Sequence, residues 1–297
     1  MTARQSSNPE NTSALERIPV AAVPDRDVHR RSAPYREVAI SRWAEGGAER
    51  GLRRVPEEVP VALRVNCADY AVMLASPTDL EDFCYGFTFT ERLIERVDDI
   101  EELALTEREE GIVARLQLRS DAAPGKRDGA RRMAGATGCG LCGVEALRDA
   151  VRPVRQVSLH SRYDAGAVRR AVSMLREWQP LNASAGALHA AAFATAEGEI
   201  IVAREDVGRH NALDKLIGAM LRHGRTPEGG FALMSSRCSY ELVQKAACFG
   251  FGMLCTVSAP TALAIRLAAE AGMTLVSLAR PDAFVVVAGE ERIDRIT

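Results

Sequence analysis

Residues 204–218 read Arg204-Glu-Asp-Val-Gly-Arg-His-Asn-Ala-Leu-Asp-Lys-Leu-Ile-Gly218, and they join a predicted strand to a predicted helix. Gly208 permits a tight turn between the two elements. Open α/β sheets bind ligands outside the carboxyl ends of their strands, beside helix N-termini whose N–H groups favour anions. We therefore expect Arg209, His210 and Asn211 to hold an anionic ligand. A well-capped helix with a solvated, charged first turn is the plainer interpretation.

Strands and helices alternate around this stretch. Helices are predicted at 143–151, 164–178, 210–223, 239–250 and 261–271, and strands at 188–195, 199–204, 231–235, 253–258, 273–278 and 283–288. The later strands are short, continuous apolar runs, which is typical of parallel strands covered on both faces. Glu197-Gly198 fits a hairpin turn between the first two strands. Residues 143–297 are therefore predicted to form a three-layer α/β domain.

Two other strand-to-helix junctions repeat this geometry. Ser235-Ser-Arg-Cys-Ser239 and Ser258-Ala-Pro-Thr261 each offer hydroxyl groups and backbone N–H groups at the start of a helix. We expect the three junctions, including Arg237 and Ser258, to line one phosphate-binding cleft. His189 stands in an apolar predicted strand, where a core residue is more usual than a catalyst.

The first 120 residues predict a different organisation. Residues 1–34 mix Ser, Pro, Asn and charges without apolar periodicity, which predicts a disordered tail. Residues 35–120 predict a smaller β-rich domain with one helix, so the fold is α+β overall. Its strands are predicted at 36–43, 59–66, 70–75 and 111–119. The helix is predicted to begin at Ser76-Pro77-Thr78-Asp79, with Ser76 as its N-cap.

Between the two predicted domains, residues 121–142 form a predicted flexible loop that ends in a cysteine pair. Thr137-Gly-Cys-Gly-Leu-Cys-Gly143 is a Cys-x-x-Cys pair framed by glycine, and a basic stretch precedes it. Nearby guanidinium groups favour the thiolate, which is the reactive form of cysteine. Two thiols at this spacing can hold a metal, cycle through a disulfide, or carry sulfur.

Other features of the sequence favour some of these three uses over the others. Zinc is disfavoured, since there is no second Cys-x-x-Cys and no His-x-Glu before a Pro-Cys-x-x-Cys. A thioredoxin-like dithiol is expected at a strand-to-helix junction rather than after a long loop. Sulfur carriage by Cys139 and Cys142 needs an accessible thiolate beside an acceptor pocket, and the sequence supplies both. Disulfide exchange stays open.

Composition limits the binding partners and the cellular compartment that are expected for this protein. The net charge of −2 gives no general attraction to nucleic acid or anionic membranes. Seven unevenly spaced cysteines favour a reducing compartment, and those at 67, 84, 248 and 255 are expected to be buried apolar residues. Neither a membrane span nor a secretory signal is recognisable, so a cytoplasmic protein is expected.

The motifs together resemble the FdhD/NarQ family, the formate dehydrogenase accessory sulfurtransferases. The resemblance rests on Thr137–Gly143, Arg204–Gly218, Ser236–Lys245 and Ser258–Thr261, with further matches at Glu58-Val-Pro and Gly86-Phe-Thr-Phe-Thr-Glu91. It runs from about residue 36 to the C-terminus.

This resemblance implies a function and a fold. The family takes persulfide sulfur from a cysteine desulfurase and passes it to the molybdenum (or tungsten) bis-guanine-dinucleotide cofactor of formate dehydrogenase. Cys139 would carry the persulfide and Cys142 would assist or resolve it. The larger domain would resemble cytidine deaminase without zinc ligands, in a homodimer. The family's cofactor-binding segment corresponds to Leu278, Ala279, Arg280, Pro281, Asp282 and Ala283.

The chain departs from the family pattern at three places. Ser236 stands where Gly is usual, Ser184-Ala185-Gly186-Ala187 replaces a Thr-Gly-Gly stretch, and Ser277-Leu-Ala-Arg280 replaces Gly-Phe-x-Arg. Two alternatives to sulfur transfer remain. One is a non-covalent chaperone for the molybdenum cofactor, and the other is a dithiol–disulfide oxidoreductase.

Overall fold

The computed structural model describes residues 17–19, 33–120, 153–157 and 161–294. Residues 33–120 contain six strands and one α-helix. They are β1 (Tyr35–Ala44), β2 (Gly47–Pro56), β3 (Val59–Val65), β4 (Ala68–Ala75), α1 (Leu80–Thr90), β5 (Ile100–Glu107) and β6 (Ile112–Leu118). β1 and β2 form an antiparallel ribbon, and a second sheet has the order β4-β3-β6-β5. Its inner face packs on α1 through Val61, Leu63, Phe83 and Phe87.

The second part is built on a six-stranded sheet. Its elements are β7 (Tyr163–Asp164), α2 (Ala165–Met174), α3 (Pro180–Ala185), β8 (His189–Thr195), β9 (Ile200–Asp206), α4 (Arg209–Arg222), β10 (Gly230–Met234), α5 (Tyr240–Phe249), β11 (Met253–Thr256), α6 (Ala262–Glu270), β12 (Thr274–Ser277), β13 (Val285–Ala288) and β14 (Ile293–Asp294). The sheet order is β13-β12-β11-β10-β8-β9. β10, β11 and β12 are parallel, whereas β8 and β9 form an antiparallel hairpin.

Helices cover this sheet on both faces. Leu213, Leu242 and Leu267 from α4, α5 and α6 pack on one face. Val168 and Ala171 from α2 pack on the other. The predicted three-layer arrangement is confirmed, as is the α+β character of the whole chain. Gly198 closes the β8–β9 hairpin at a positive φ of 84°, in agreement with the predicted turn.

The two parts meet where α1 crosses α4. A Cβ atom added at Gly86 of α1 would lie 1.7 Å from the carbonyl oxygen of Asp214, and one added at Gly218 of α4 would lie 1.8 Å from that of Asp82. Only glycine lets the two backbones approach this closely. The junction therefore depends on a glycine from each helix.

The start of α1 differs from the prediction. Asp79, not Ser76, is the N-cap residue, and it adopts a left-handed φ of 51°. The Ser76 N–H donates to Asp206 Oδ2 (2.9 Å), and Ser76 Oγ accepts from the Val207 N–H (3.0 Å). Ser76 is drawn away from the helix because its backbone and side chain bind the β9–α4 turn.

Of the helices and strands named above, five escaped prediction. They are β2, β5, the short helix α3 and the two-residue strands β7 and β14. β2 reads Gly-Ala-Glu-Arg-Gly-Leu-Arg-Arg-Val-Pro and is exposed over most of its length, so it lacks the apolar alternation that identifies a strand. In the predicted tail, Ile18 is buried against β9. The predicted helix 143–151 and the loop 121–142 lie outside the described residues.

Candidate functional site

Most of the polar string at 204–215 is inside the protein. Asp206 and Lys215 are fully buried and form an ion pair at 2.6 Å. Lys215 Nζ also donates to the carbonyl oxygen of Ser76 at 3.0 Å, and Asp206 accepts from the Gly208 N–H at 2.8 Å. These bonds join the end of β9 to the β4–α1 connection. Residues 204–215 therefore form an internal polar junction between the two parts of the fold.

Arg204 and Glu205 extend this junction in opposite directions. The Arg204 guanidinium donates to Asp82 Oδ2 of α1 at 2.7 Å. Glu205 accepts from the N–H groups of Leu181 and Asn182, both at 2.8 Å, and so holds the first turn of α3. Burial raises the pKa of Glu205, and these two N–H bonds oppose that increase. Glu205 thus fixes a helix that borders the sheet edge.

Asn211 was predicted to contact a ligand, but its amide nitrogen forms its hydrogen bonds within the fold. Its amide nitrogen donates to the carbonyl oxygen of Leu74 at 2.7 Å and to Asp206 Oδ1 at 3.0 Å. The side chain is buried, so both amide protons are used within the fold. Asn211 therefore belongs to the polar junction.

His210, in contrast, contacts the next helix of the sheet edge. Its Nε2 lies 3.1 Å from Glu241 Oε2 and 3.2 Å from Ser239 Oγ. A carboxylate can only accept, so Nε2 carries the proton and donates it. Ser239 is the N-cap residue of α5, yet its hydroxyl accepts no backbone N–H of that helix and instead donates to the Glu241 carboxylate at 3.0 Å. These three side chains tie the first turn of α4 to that of α5.

His189 lies among the cationic residues of the same edge. It is half-buried at the start of β8, opposite Asp206. Burial lowers its pKa, and the positive charges of Arg209 and Arg237 add to that effect, whereas Asp206 opposes it. We name the residues His189, Arg209, His210 and Arg237 the edge cluster. Its positive charge makes this side of the sheet edge suited to anions.

Two of the three predicted junctions, those at 235–239 and 258–261, meet at this edge through backbone hydrogen bonds, and the segment after β12 joins them. The Cys238 N–H donates to the carbonyl oxygen of Ala259 at 3.2 Å, and the Ser258 N–H donates to that of Ser236 at 3.3 Å. The Leu278 N–H in turn donates to the carbonyl oxygen of Ser258 at 3.3 Å. The segments after β10, β11 and β12 are therefore continuous in space, and His210 of the first predicted junction reaches them through Ser239 and Glu241.

A cleft of about 730 Å³ opens on the α2 side of these strand ends. Ser235, Val257 and Ala279 belong to its floor, and the wall comes from the 3₁₀ turn Leu175–Trp178, from Gln179 and from α3. Arg176 and Arg280 are exposed and border the cleft. The cleft therefore combines a mainly apolar floor with two cationic groups.

Of the predicted ligand contacts, Ala279, Arg280 and Pro281 line this cleft. The other members of the predicted set lie outside its lining, namely Arg209, His210, Asn211, Arg237, Ser258, Leu278, Asp282 and Ala283. Sequence reasoning missed Arg176, Gln179 and Asn182 of the wall. The short helix α3 gave no periodic signal, and nothing in the sequence indicates which face of the sheet the 3₁₀ turn would reach.

The segment after β12 has an unusual backbone. Leu278 has a φ of 50°, a left-handed conformation, and its side chain is 45% exposed. The Arg280 N–H donates to the carbonyl oxygen of Ala283 at 2.7 Å, and its guanidinium donates to those of Ala279 and Val257. Strain of this kind in a non-glycine residue concentrates at functional sites. Ala279 itself is fully buried, so its side chain contributes to the floor only.

A family model for FdhD/NarQ matches residues 56–294. The chain belongs to the FdhD/NarQ family.

Curated relatives in several bacteria agree with this FdhD/NarQ membership. The chain is 44% identical to sulfur carrier protein FdhD of Cupriavidus necator over 255 residues, which cover 86% of this chain and 88% of the relative. It is 46% identical to the protein of the same name from Bordetella bronchiseptica, with coverage of 80% and 87%. For Agrobacterium fabrum the identity is 42%, with coverage of 88% and 97%.

A solved structure shares the fold. The crystal structure of a candidate formate dehydrogenase accessory protein from Desulfotalea psychrophila aligns with a TM-score of 0.72 at 21% identity. The alignment covers 88% of this chain and all of that chain. At this identity the likeness concerns the fold alone.

One departure from the FdhD/NarQ pattern is explained by its contacts. Ser236 is buried, and its hydroxyl donates to the carbonyl oxygen of Arg237 at 2.9 Å. The additional side chain is therefore turned onto its own backbone and does not enter the cleft. The replaced stretch at 184–187 includes Gly186, which lines the cleft.

The cysteines fall into three groups, which differ in their place in the fold and in their exposure. Cys139 and Cys142, the pair that the FdhD/NarQ resemblance makes catalytic, lie outside the described residues. Burial raises the pKa of Cys84 and Cys238 to about 12, and it also raises that of Cys248 and Cys255. Cys67 was expected to be buried, but it is exposed in the β3–β4 turn, where it adopts a left-handed φ of 66°.

Among the described residues, no group of three His, Cys, Asp or Glu side chains could hold a metal ion. Within the same ranges, no helix is long and apolar enough to cross a membrane.

Proposed function

We propose that this chain is a sulfur carrier in the maturation of formate dehydrogenase. It accepts persulfide sulfur from a cysteine desulfurase on Cys139. It then passes that sulfur to the molybdenum or tungsten bis-guanine-dinucleotide cofactor, which is its substrate and not its resident cofactor. It works in the cytoplasm as a homodimer.

The observation that carries this proposal is the cleft at the ends of β10, β11 and β12, in a chain whose relatives are named sulfur carriers. Ligand sites of 300–1,000 Å³ typically hold molecules of drug size. A cleft of about 730 Å³ therefore suits one nucleotide arm of the acceptor and not the whole cofactor. The remaining phosphates would lie along the edge cluster.

The charges at the sheet edge support an anionic acceptor. Arg176 and Arg280 border the cleft, and Arg209 and Arg237 belong to the edge cluster. Guanidinium groups donate two parallel N–H bonds to phosphate oxygens, which gives them both affinity and geometric selectivity. The first turn of α4 adds backbone N–H groups beside the cluster.

The chemistry begins with a thiolate. The Cys139 thiolate attacks the outer sulfur of the donor persulfide, the S–S bond of the donor breaks, and the donor cysteine leaves as a thiolate. In the second step, the Cys142 thiolate attacks the inner sulfur of Cys139. The outer sulfur leaves as hydrosulfide for the acceptor, and a Cys139–Cys142 disulfide forms. A cellular dithiol reductant then reopens this disulfide.

The first step is tested by intact mass after incubation with a cysteine desulfurase and cysteine. The wild-type chain and a Cys67→Ala control are expected to gain about 32 Da per transferred sulfur, and Cys139→Ala is expected to gain none. Cys67 is a suitable control because it is exposed but lies far along the chain from the pair. Normal loading of Cys139→Ala would contradict the assignment, and active formate dehydrogenase in cells with that variant would favour the chaperone function.

The second step is tested with Cys142→Ala. This variant is expected to load persulfide but to release little hydrosulfide, because the resolving thiolate is missing. A variant that releases sulfur as fast as the wild type would overturn the resolving role of Cys142. Reduction of insulin by the wild-type chain at a rate typical of thioredoxins would favour the oxidoreductase instead.

A further inference from the structure

Residues 17–19 lie against the sheet, although they precede the segment that the family model matches. Ile18 is only 3% exposed, and its N–H donates to the carbonyl oxygen of Ile201 at 2.8 Å. Ile201 belongs to β9, the edge strand of the six-stranded sheet. We name residues 17–19 the strap, because they cross this edge.

The neighbours of Ile18 attach the strap to both faces of the sheet. The Arg17 guanidinium lies 5.7 Å from the centroid of the Trp178 ring, in a cation–π contact. The Pro19 carbonyl oxygen accepts from the Arg204 guanidinium at 2.9 Å, and Arg204 also binds Asp82 of α1. Three consecutive residues thus contact two separate elements, the 3₁₀ turn that ends at Trp178 and the edge strand β9.

One of these contacts reaches the wall of the candidate cleft. Trp178 ends the 3₁₀ turn Leu175–Trp178, and Leu175 and Arg176 of that turn line the cleft. The hydrogen bond that closes the turn is long, with 3.3 Å between the Gln179 nitrogen and the Arg176 carbonyl oxygen. Short 3₁₀ turns have poor hydrogen-bond geometry and need support from their surroundings.

We propose that the strap is a positioning element for the cleft, in which Arg17 braces the 3₁₀ turn that carries Arg176. Ile18 anchors the strap in the core, so that Arg17 is held over Trp178. The bracing of the turn is independent of the ligand. Its effect on binding rests on the proposed function, because that function supplies the guanine nucleotide arm.

The physical consequence is a population shift. Without Arg17, the turn spends less time in the conformation that lines the cleft, and the apparent affinity of a ligand falls by the same fraction. An exposed cation–π contact limits the effect to roughly two- to fivefold. The strap therefore tunes binding and does not create it.

The test compares Arg17→Ala and Arg17→Lys with the control Arg50→Ala, which removes an exposed arginine of β2. Backbone hydrogen exchange at residues 175–179 is measured in the full chain, and GDP binding is measured by calorimetry. Arg17→Ala is expected to speed exchange in this turn and to weaken GDP binding roughly two- to fivefold. Arg17→Lys restores most of both, and Arg50→Ala changes neither.

Each outcome bears on one claim. Unchanged exchange at 175–179 in Arg17→Ala overturns the brace. Faster exchange with unchanged GDP affinity overturns its role in binding. If the wild-type chain does not bind GDP, the proposed acceptor site fails and the brace is judged by exchange alone. The midpoint of thermal unfolding should stay within about 1 °C of the wild type, which separates local bracing from a general loss of stability.

Discussion

The buried ion pair between Lys215 and Asp206 leads to a prediction about stability. In Lys215→Met, a fully buried carboxylate loses a cation at 2.6 Å. At an effective dielectric constant of about 20, the attraction at this distance amounts to about 6 kcal/mol before desolvation is counted. Desolvation of the two ions offsets part of this attraction. Removing one partner of such a buried pair costs about 3–5 kcal/mol.

Two features of the structure keep the expected loss within that range. Asp206 retains its bonds from the N–H groups of Ser76 and Gly208, so its carboxylate is still partly solvated by the protein. Met preserves most of the volume of the Lys side chain, so no large cavity opens. For a chain of this length, 3–5 kcal/mol lowers the midpoint of thermal unfolding by roughly 5–8 °C.

The assay is urea unfolding followed by circular dichroism, with Asp206→Asn and the double variant Lys215→Met/Asp206→Asn alongside. Because the double variant leaves no unpaired buried charge, it should lose less than the sum of the two single variants, by at least about 1 kcal/mol. Additive losses, or a loss below about 1 kcal/mol in Lys215→Met, would refute the interpretation of 204–215 as an internal polar junction.

Three other predictions concern the junction, a histidine and the thiols. Gly218→Ala places a Cβ atom 1.8 Å from a carbonyl oxygen of α1, so it should destabilise the chain by about 3 kcal/mol or more in urea unfolding, while Gly46→Ala, with open space around it, should change little. Burial lowers the pKa of His189 from its ordinary 6.5, so the unfolded chain takes up a proton first, and stability should fall as pH decreases through 6.5 towards the folded pKa. Replacing His189 with Gln should remove up to about 1.4 kcal/mol per pH unit of this slope in melts between pH 7 and 5. A disulfide reagent should modify the exposed Cys67 in the native chain, whereas Cys238, with its pKa raised to about 12 by burial, should react only on unfolding; equal rates would contradict the placement of these thiols.

Local patterns were sufficient to predict most of the second part of the fold. The apolar runs at 231–235, 253–258 and 273–278 correspond to β10, β11 and β12, because strands buried on both faces must be apolar throughout. The meeting of the segments that follow β10 and β11 was predictable as well, since parallel strands end at one edge.

The polar string shows where such reasoning fails. Arg204, Asp206 and Lys215 are charged residues at a strand end, and charge there usually indicates solvent or ligand. Asp206 and Lys215 pair with each other, but Ser76 and Asp82, which complete the junction, lie more than a hundred residues away in sequence, so no local pattern could reveal that these charges are buried. Ser76 was assigned to a helix cap for the same reason.

The wall of the cleft could not be predicted from the sequence for a second reason. α3 has only six residues and is held by Glu205 through its first-turn N–H groups, so its helical form depends on a distant carboxylate and not on its own periodicity. The departures from the family pattern were visible in the sequence, but the inward turn of the Ser236 hydroxyl was not.

The most direct measurement of the central claim follows the sulfur itself. Radiolabelled sulfur is loaded on Cys139, and the chain is then mixed with formate dehydrogenase that carries unsulfurated cofactor. The account predicts transfer of the label to the cofactor, with slower transfer in Arg280→Ala because a cationic group that borders the cleft is removed. Label that stays on the chain, or that reaches the cofactor at the same rate in Arg280→Ala as in the wild type, would contradict delivery through this cleft.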